Sequence, residues 1–524
     1  MEFNHADLFE GIADAVPDRL ALVAPGSGGT VRLTFAELDA HASRLAHHLA
    51  GAGVGPGDHV GVHLYNGVEY IATVLAALKI RAVPVNVNYR YVEAELTYLY
   101  RDAALVALVY EASFEDRVTA AARQAPTLRH RVVCGGTSPH AVAYTDALAG
   151  APPGRGFAPR SADDLYIIYT GGTTGMPKGV MWRCEDLFMA FGGGNPFGPP
   201  RATPEAVVEA AVAGGGLVMM TAAPLMHGAA QMTTFLAWWQ GGSVVYNRRF
   251  DAAEVLRTIE REKVISLGVT GDAMARPLVD ALTAGSYDLS SLAAFSSTGA
   301  ILSGTVRDRL SALLPNVLII DSFGSSESGY TAAGVEGSTP ESGLRYRPNA
   351  GLTVLGDDLR PLTPGSGTVG QVAKCGSIAL GYWNDEAKTA KTFVEVDGVR
   401  WLLTGDLASV GTDGTIAVLG RGSQCINTGG EKVFPEEIEA VLKGHPGVFD
   451  AVVTGVPDER FGERVAAVVQ PYAPPLSADD LDAHCRSRLS GYKVPRVYAF
   501  VDRVERSPAG KADYRWARSI AEKA

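Results

Sequence analysis

The sequence predicts an α/β protein in two parts, a large N-terminal part over residues 1–420 and a small α+β part over residues 421–524. Helix and strand periodicities alternate near the N-terminus. Further along, short apolar runs bounded by turn residues recur, as the buried strands of an α/β sheet would. The texture then changes around Gly420-Arg421-Gly-Ser423, and 524 residues exceed what one hydrophobic core ordinarily serves.

The elements follow in order. Thr34 and Glu37 have capping-box spacing, Leu38, Ala42, Leu45 and Leu49 fall on one helical face, and Gly51 offers a stop. A strand is expected at 59–64, a helix at 68–80 and a strand at 82–87, with buried strands at 105–109, 165–169, 264–269 and 317–320. The Gly- and Pro-rich residues 191–203 read as a mobile loop rather than a linker. From 210 to 247 there is no Asp, Glu, Lys or Arg, a length that could cross a membrane. Gly214, Gly215, Gly216, Pro224, His227, Gly228, Gln231, Gly241 and Gly242 interrupt it, so it reads as buried core with a ligand-lining loop. Past residue 421 come a helix at 435–443, a turn at 445–447, strands at 449–456 and 465–470, a Pro-rich joint at 471–475, another helix and a basic tail.

Composition narrows the function. With 47% hydrophobic and 20% charged residues the chain has a globular profile. A net charge of −11 argues against broad nucleic-acid contact, which needs clustered Lys and Arg. The acidic N-terminus lacks the apolar core of a signal peptide. Cys134, Cys184, Cys375, Cys425 and Cys485 are far apart and lack zinc-ligand spacing. A cytoplasmic protein without a transmembrane segment is expected.

The strongest local signal is Tyr169-Thr-Gly-Gly-Thr-Thr-Gly-Met-Pro-Lys178-Gly179. Its glycines let successive N–H groups approach phosphate oxygens, its hydroxyls add donors or metal contacts, and its lysine adds charge. A Walker A loop would need Lys followed by Ser or Thr and a helix. Here Gly179 follows the lysine and Val180-Met181-Trp182 looks like strand, so phosphoryl transfer of that type is disfavoured. Taken alone, a flexible glycine turn is the competing reading.

This string resembles the phosphate-binding loop of the adenylate-forming superfamily: acyl-CoA synthetases, peptide-synthetase adenylation domains and beetle luciferases. The similarity runs almost end to end, with four further motifs in the family's order. It implies a large N-terminal domain of several subdomains with mixed sheets and a small mobile C-terminal domain. Thr170, Gly171, Gly172, Thr173, Thr174, Gly175 and Lys178 would hold phosphate. In Asp321-Ser322-Phe323-Gly324-Ser325-Ser326-Glu327, Glu327 would hold Mg²⁺ together with the Thr173 hydroxyl, Phe323 would stack on adenine where the family commonly has Tyr, and Ser326 stands for the usual Thr. Gly299 and Ala300 would border adenine and the acyl pocket. Asp406 and Arg421 would bind ribose, Lys511 would be the adenylation lysine, and the 428–435 loop, with Gly430 and Lys432, would help form the pantetheine tunnel. Each is weak alone: Thr404-Gly-Asp406 is a common turn, and a tail lysine is normally a solvated charge.

The resemblance implies ATP, Mg²⁺ and coenzyme A as co-substrates and cofactor, with a small-molecule carboxylic acid as the partner. Pro224-Leu-Met-His227-Gly228 is similar to the motif between acyl pocket and tunnel, where His227 would act as a gate. The absence of a carboxylate between 210 and 247 argues against an amino-acid substrate, and Met226, Met232, Phe235, Trp238 and Trp239 suit an apolar acyl group, although the two tryptophans also read as core. Ser423 stands where Asp or Lys is common at the hinge. The strings at 271–282, 491–496 and 506–516 look like the actinobacterial fatty-acyl-CoA synthetases that include ligases for steroid side-chain carboxylates. Two rival readings are an acyl-AMP ligase or adenylation enzyme loading a carrier protein, and a non-catalytic nucleotide-binding protein. A homodimer and peripheral membrane contact stay compatible with the sequence.

Overall fold

The computed structural model describes residues 1–524 apart from 27–28, 173–174, 196–197, 336–343, 429–430, 459, 473–475 and 507–509. Three sheets carry the described residues. The largest has 14 strands, and at its centre Leu318–Ser325, Ala294–Thr298, Ser266–Val269, Val218–Thr221, Ser243–Val245 and Leu20–Gly26 run parallel in that spatial order. Beyond Leu318–Ser325 the pairing turns antiparallel, through Gly329–Gly334 and Leu344–Pro348 to Ile416–Arg421 and Val399–Val410. The sheets are therefore mixed, as expected.

The second sheet has 8 strands, among them the parallel Val83–Asn86, His59–His63, Ala107–Glu111 and His130–Cys134. The antiparallel hairpin Leu165–Gly172 and Gly175–Arg183 joins it beside Val83–Asn86. The third, with 5 strands, is built on the long pair Val448–Asp458 and Gly462–Pro471. Two apolar clusters contain only residues from 426 onward, and the other three draw on residues up to 418.

Local chemistry accounts for the elements. The helix Phe35–Gly51 starts on a complete capping box, with Glu37 N–H donating to Thr34 Oγ1 and Thr34 N–H to Glu37 Oε2. It buries Leu38, Ala42, Leu45 and Leu49 and runs through Gly51 to a cap at Ala52, one residue past the expected stop. The uncharged stretch is buried core around a loop, as expected. It is a strand–helix–strand crossover, Val218–Thr221 to Gly228–Trp239 to Ser243–Val245, in the body of the large sheet. Charge is absent from the crossover because most of it is covered on both faces; the 222–227 segment and the 240–242 turn are its loops. Trp238 and Trp239 belong to the core, each 1% exposed; the Trp238 indole donates to the Ala21 carbonyl at 3.0 Å.

The expected loop 428–435 is a hairpin of strands Ile426–Thr428 and Glu431–Val433 leading into the helix Pro435–Lys443. Among the described residues, no helix is long and apolar enough to cross a membrane and no disulfide links the five cysteines.

Candidate active site

The glycine–threonine loop is the tip of a two-stranded hairpin. Thr170 pairs with Lys178, and Gly172 with Gly175. A strand rather than a helix follows the lysine, so the loop lacks the strand-to-helix geometry of a Walker A site. Glycine is required at 179, where a Cβ would lie 2.8 Å from the Tyr169 ring. Thr173 and Thr174 lie outside the described residues, as do Gly430 and the side chains of Ser423 and Lys432. Thr170 is half-buried and Gly171 exposed beside them.

Asp321 to Ser325 form the end of the strand Leu318–Ser325, and Ser326 and Glu327 the turn beyond it. Ser325 Oγ accepts the N–H groups of Glu327 and Ser328, fixing the turn. Trp182, from the phosphate hairpin, donates its indole N–H to the Ser326 carbonyl at 2.9 Å. Glu327 is held at one oxygen, where Oε1 accepts the Tyr382 hydroxyl at 2.9 Å. The Tyr382 ring centroid lies 5.8 Å from the Lys178 ammonium, so this tyrosine stands between the phosphate hairpin and Glu327. Phe323 packs on Tyr346 at 5.3 Å between centroids. Asp321 is buried and ion-paired with Arg307 at 3.1 Å; burial raises its carboxyl to about 6, with Arg307 opposing. Ser322 and Gly324 are half-buried in this strand, and Gly299 and Ala300 lie just past the parallel partner strand Ala294–Thr298.

Asp406 and Arg421 face each other across neighbouring strands, Oδ1 to Nε at 3.2 Å. Lys511 reaches the same place from the tail. Burial and then Arg421 lower its pKa, while Glu327 and Asp406 pull it back up, so all four groups share one electrostatic neighbourhood. His227 belongs there too: burial, followed by Lys511 and Arg90, lowers its pKa to about 4, and its buried Nε2 has no partner among the described residues. Beside Lys511, Arg506 bridges to Ala512, its guanidinium donating to the Gly510 carbonyl and to Asp450. Gly510 has φ +72°, and a Cβ there would stand 3.0 Å from Ala273 Cβ, against the start of the helix Gly271–Ala284.

The chain matches the AMP-binding enzyme family over residues 9–383 and that family's C-terminal domain over residues 437–511. It belongs to the AMP-binding enzyme family. It is 46% identical over 535 residues to the 3-oxocholest-4-en-26-oate–CoA ligase of Rhodococcus rhodochrous, covering 99% of this chain and 96% of that protein. A medium/long-chain-fatty-acid–CoA/3-oxocholest-4-en-26-oate–CoA ligase of Mycobacterium tuberculosis is 48% identical over 536 residues, with 99% and 96% covered. The solved structure of the anthranilate CoA ligase AuaEII in complex with anthranoyl-AMP matches with a TM-score of 0.85 at 25% identity, covering 99% and 97% of the two chains. The chain is an ATP-dependent, AMP-forming ligase.

Several residues of this AMP-binding enzyme's site escape a reading of local strings. Besides Tyr382 and Trp182, three buried amides hold the 224–228 segment. Asn66 Oδ1 accepts the Leu225 N–H at 2.7 Å, Gln231 donates to the Leu225 carbonyl at 2.7 Å, and Asn86 donates to the Met226 carbonyl at 2.6 Å. Asn86 and Asn66 sit at strand ends or in turns, where an amide is ordinary, so nothing in sequence marks them. As for a metal, no group of three or more His, Cys, Asp or Glu among the described residues could hold one. Glu327, with one oxygen taken by Tyr382, fits an ion that arrives on a triphosphate with ligands of its own.

Proposed function

We propose that this enzyme joins a hydrophobic carboxylic acid of the lipid or steroid side-chain type to coenzyme A in two steps on one site. In the first, a carboxylate oxygen attacks the α-phosphorus of ATP, the bond to the β-phosphoryl oxygen breaks, and pyrophosphate leaves. The hairpin 170–178 receives the phosphates, Asp406 and Arg421 hold the ribose, Phe323, Gly299 and Ala300 face the base, and Lys511 meets the charge developing at the α-phosphate. One positive charge at about 4 Å and an effective dielectric near 20 is worth ~4 kcal/mol, about three decades in rate. Mg²⁺, held by Glu327 and the Thr173 hydroxyl, supplies charge neutralisation on the phosphates when bound. In the second step the pantetheine sulfur attacks the acyl carbonyl, AMP leaves with the C–O bond electrons, and the thiol proton passes to solvent. His227 gates that approach, and Gly430 and Lys432 flank it.

The convergence of Lys511 with Glu327, the Asp406–Arg421 pair and His227 carries the reading, since it gathers residues spread over nearly three hundred positions, from 227 to 511. The division of the apolar clusters between residues up to 418 and from 426 onward supports a boundary at 420/421 and a C-terminal part that moves as a body, turning about Ser423. The uncharged crossover supports an apolar acid, because it offers no partner to an ammonium group. The relatives' names supply the acid classes, and cysteines without disulfides suit the cytoplasm. The test is to mix enzyme, Mg-ATP and CoA with a long-chain fatty acid, a cholestenoic acid or an aromatic acid, and to follow AMP and thioester. Thioester from the first two is expected; product only with the aromatic acid, or only on a carrier protein, would overturn it.

A further inference from the structure

Asn86 ends the strand Val83–Asn86, at the point where its pairing with Leu165–Gly172 stops after Val85 and Ile167. Its side chain takes over from the ladder. Oδ1 accepts the Tyr169 N–H at 2.7 Å, and Nδ2 donates to the Tyr169 carbonyl at 2.7 Å and to the Met226 carbonyl at 2.6 Å. Both donors and one lone pair of the amide are thus used, and a flipped amide would set its NH₂ against an N–H and its oxygen against two carbonyls. The residue is 5% exposed, so the three bonds are out of competition with water.

Tyr169 lies in a strand of the 8-stranded sheet and Met226 in the loop after Val218–Thr221 of the 14-stranded sheet, and the ligase reading gives them different subsites. Tyr169 opens the run of glycines and threonines at the hairpin tip. Met226 precedes His227, whose ring shares the neighbourhood of Lys511. Asn86 is the described side chain that hydrogen-bonds to both backbones; Asn66 reaches the Leu225 N–H, and Gln231 joins the Leu225 carbonyl to the hairpin strand only through the side-chain hydroxyl of Tyr166. A shift of the hairpin on taking up phosphate cannot leave Met226 where it was without stretching one of these bonds.

We infer that Asn86 is a positioning residue that couples nucleotide binding to acid binding, so that each substrate pre-sets the other's subsite. The inference rests on the ligase reading and adds to it a thermodynamic link between the two subsites. Such a link is reciprocal: ATP must tighten the acid by the factor by which the acid tightens ATP.

The test measures fatty-acid affinity by calorimetry with and without a non-hydrolysable ATP analogue and Mg²⁺, for wild type, Asn86→Ala and Asn86→Asp. Asn86→Asp keeps the size and the acceptor but removes both donations. Wild type should bind the acid roughly tenfold more tightly when the nucleotide is present. Both variants should show equal affinity with and without nucleotide, each single-substrate affinity staying within about threefold of wild type, and should lower kcat for acid-dependent pyrophosphate exchange more than they raise KM for ATP. A variant that keeps the wild-type ratio, or a wild type without one, overturns the inference while leaving the ligase reading standing. Collapse of the thermal transition in both variants would assign Asn86 to stability and overturn it as well. A wild type that forms no AMP with any acid would fail the ligase reading, and this inference with it.

Discussion

Lys511 is drawn toward Glu327 and Asp406 and pushed by Arg421, in surroundings that disfavour its charge. Its ammonium is therefore poised to gain from an arriving triphosphate, whose charge adds to that of the two carboxylates it already faces. Lys511→Ala should lower acid-dependent pyrophosphate exchange by about 10²–10³-fold and leave thioester formation from supplied acyl-AMP largely intact; equal losses in both half-reactions would contradict the assignment. Glu327 depends on the Tyr382 hydroxyl for its orientation. Tyr382→Phe keeps the ring between Lys178 and Lys388 but frees the carboxylate. The Mg²⁺ concentration giving half-maximal exchange should rise at least about tenfold, the usual consequence of losing a group that orients a metal ligand; an unchanged magnesium curve would show that the bond does not matter. These residues also mark the limit of reading a sequence. Lys511, Glu327 and Asp406 lie in short strings whose neighbours share their purpose. Asn86 and Tyr382 do not, because their meaning comes from chain 83 and 55 residues away in sequence that folding brings beside them.

Among the elements, the helix Pro435–Lys443 meets the strand Ile416–Arg421 through Glu436. The Arg421 N–H donates to Oε1 at 3.4 Å, Oε2 is buried without a partner among the described residues, and a side chain at Gly420 would collide with it at 2.3 Å. Burial, then Glu439 and Asp406, raise this carboxyl from 4.5 to about 7; Arg421 and Tyr514 complete the groups around it. A raised carboxyl pKa means that the packed arrangement keeps a proton that the unfolded chain has already released. Stability is thus greatest below the unfolded value and falls as pH climbs toward 7, by up to about 1.4 kcal/mol per unit. Amide protection in Pro435–Lys443, corrected for intrinsic exchange, should decline from about pH 5 to about pH 7 in wild type and stay level in Glu436→Gln. A parallel decline in both would clear Glu436. At the far end, Thr34→Ala removes one half of a capping box and should cost about 1 kcal/mol in urea denaturation. That box, like the helix face behind it, was legible because its parts are three residues apart. The uncharged crossover was harder: periodicity cannot separate a covered helix from a covered strand, and the glycines that read as loop are the turns between them.

For the whole molecule, the C-terminal part is seated with its lysine turn against the helix Gly271–Ala284. Arg276, 3% exposed, donates to the Val448 carbonyl and the Tyr472 hydroxyl at 3.4 Å and lies 6.0 Å from the Phe449 ring. A Cβ at Gly510 would stand 3.0 Å from Ala273 Cβ, and the left-handed φ there adds a penalty of about 1–2 kcal/mol for any other residue. Gly510→Ala should therefore weaken this seating and reduce adenylation about tenfold, with the thioester step from supplied acyl-AMP unaffected. Loss of the second step as well would mean that the glycine serves the fold instead. The division into two parts was visible from texture alone, whereas the way they sit together depends on contacts no local string encodes. The two sheets of the N-terminal part carry one further consequence. The glycine–threonine hairpin belongs to one sheet, and the helix Gly228–Trp239 crosses between two strands of the other. Gln231 on that helix accepts the Tyr166 hydroxyl of the hairpin strand and Phe235 lies 6.4 Å from the Tyr166 ring, so a change along the crossover is felt where the hairpin sits, and lineages that alter one must retune the other.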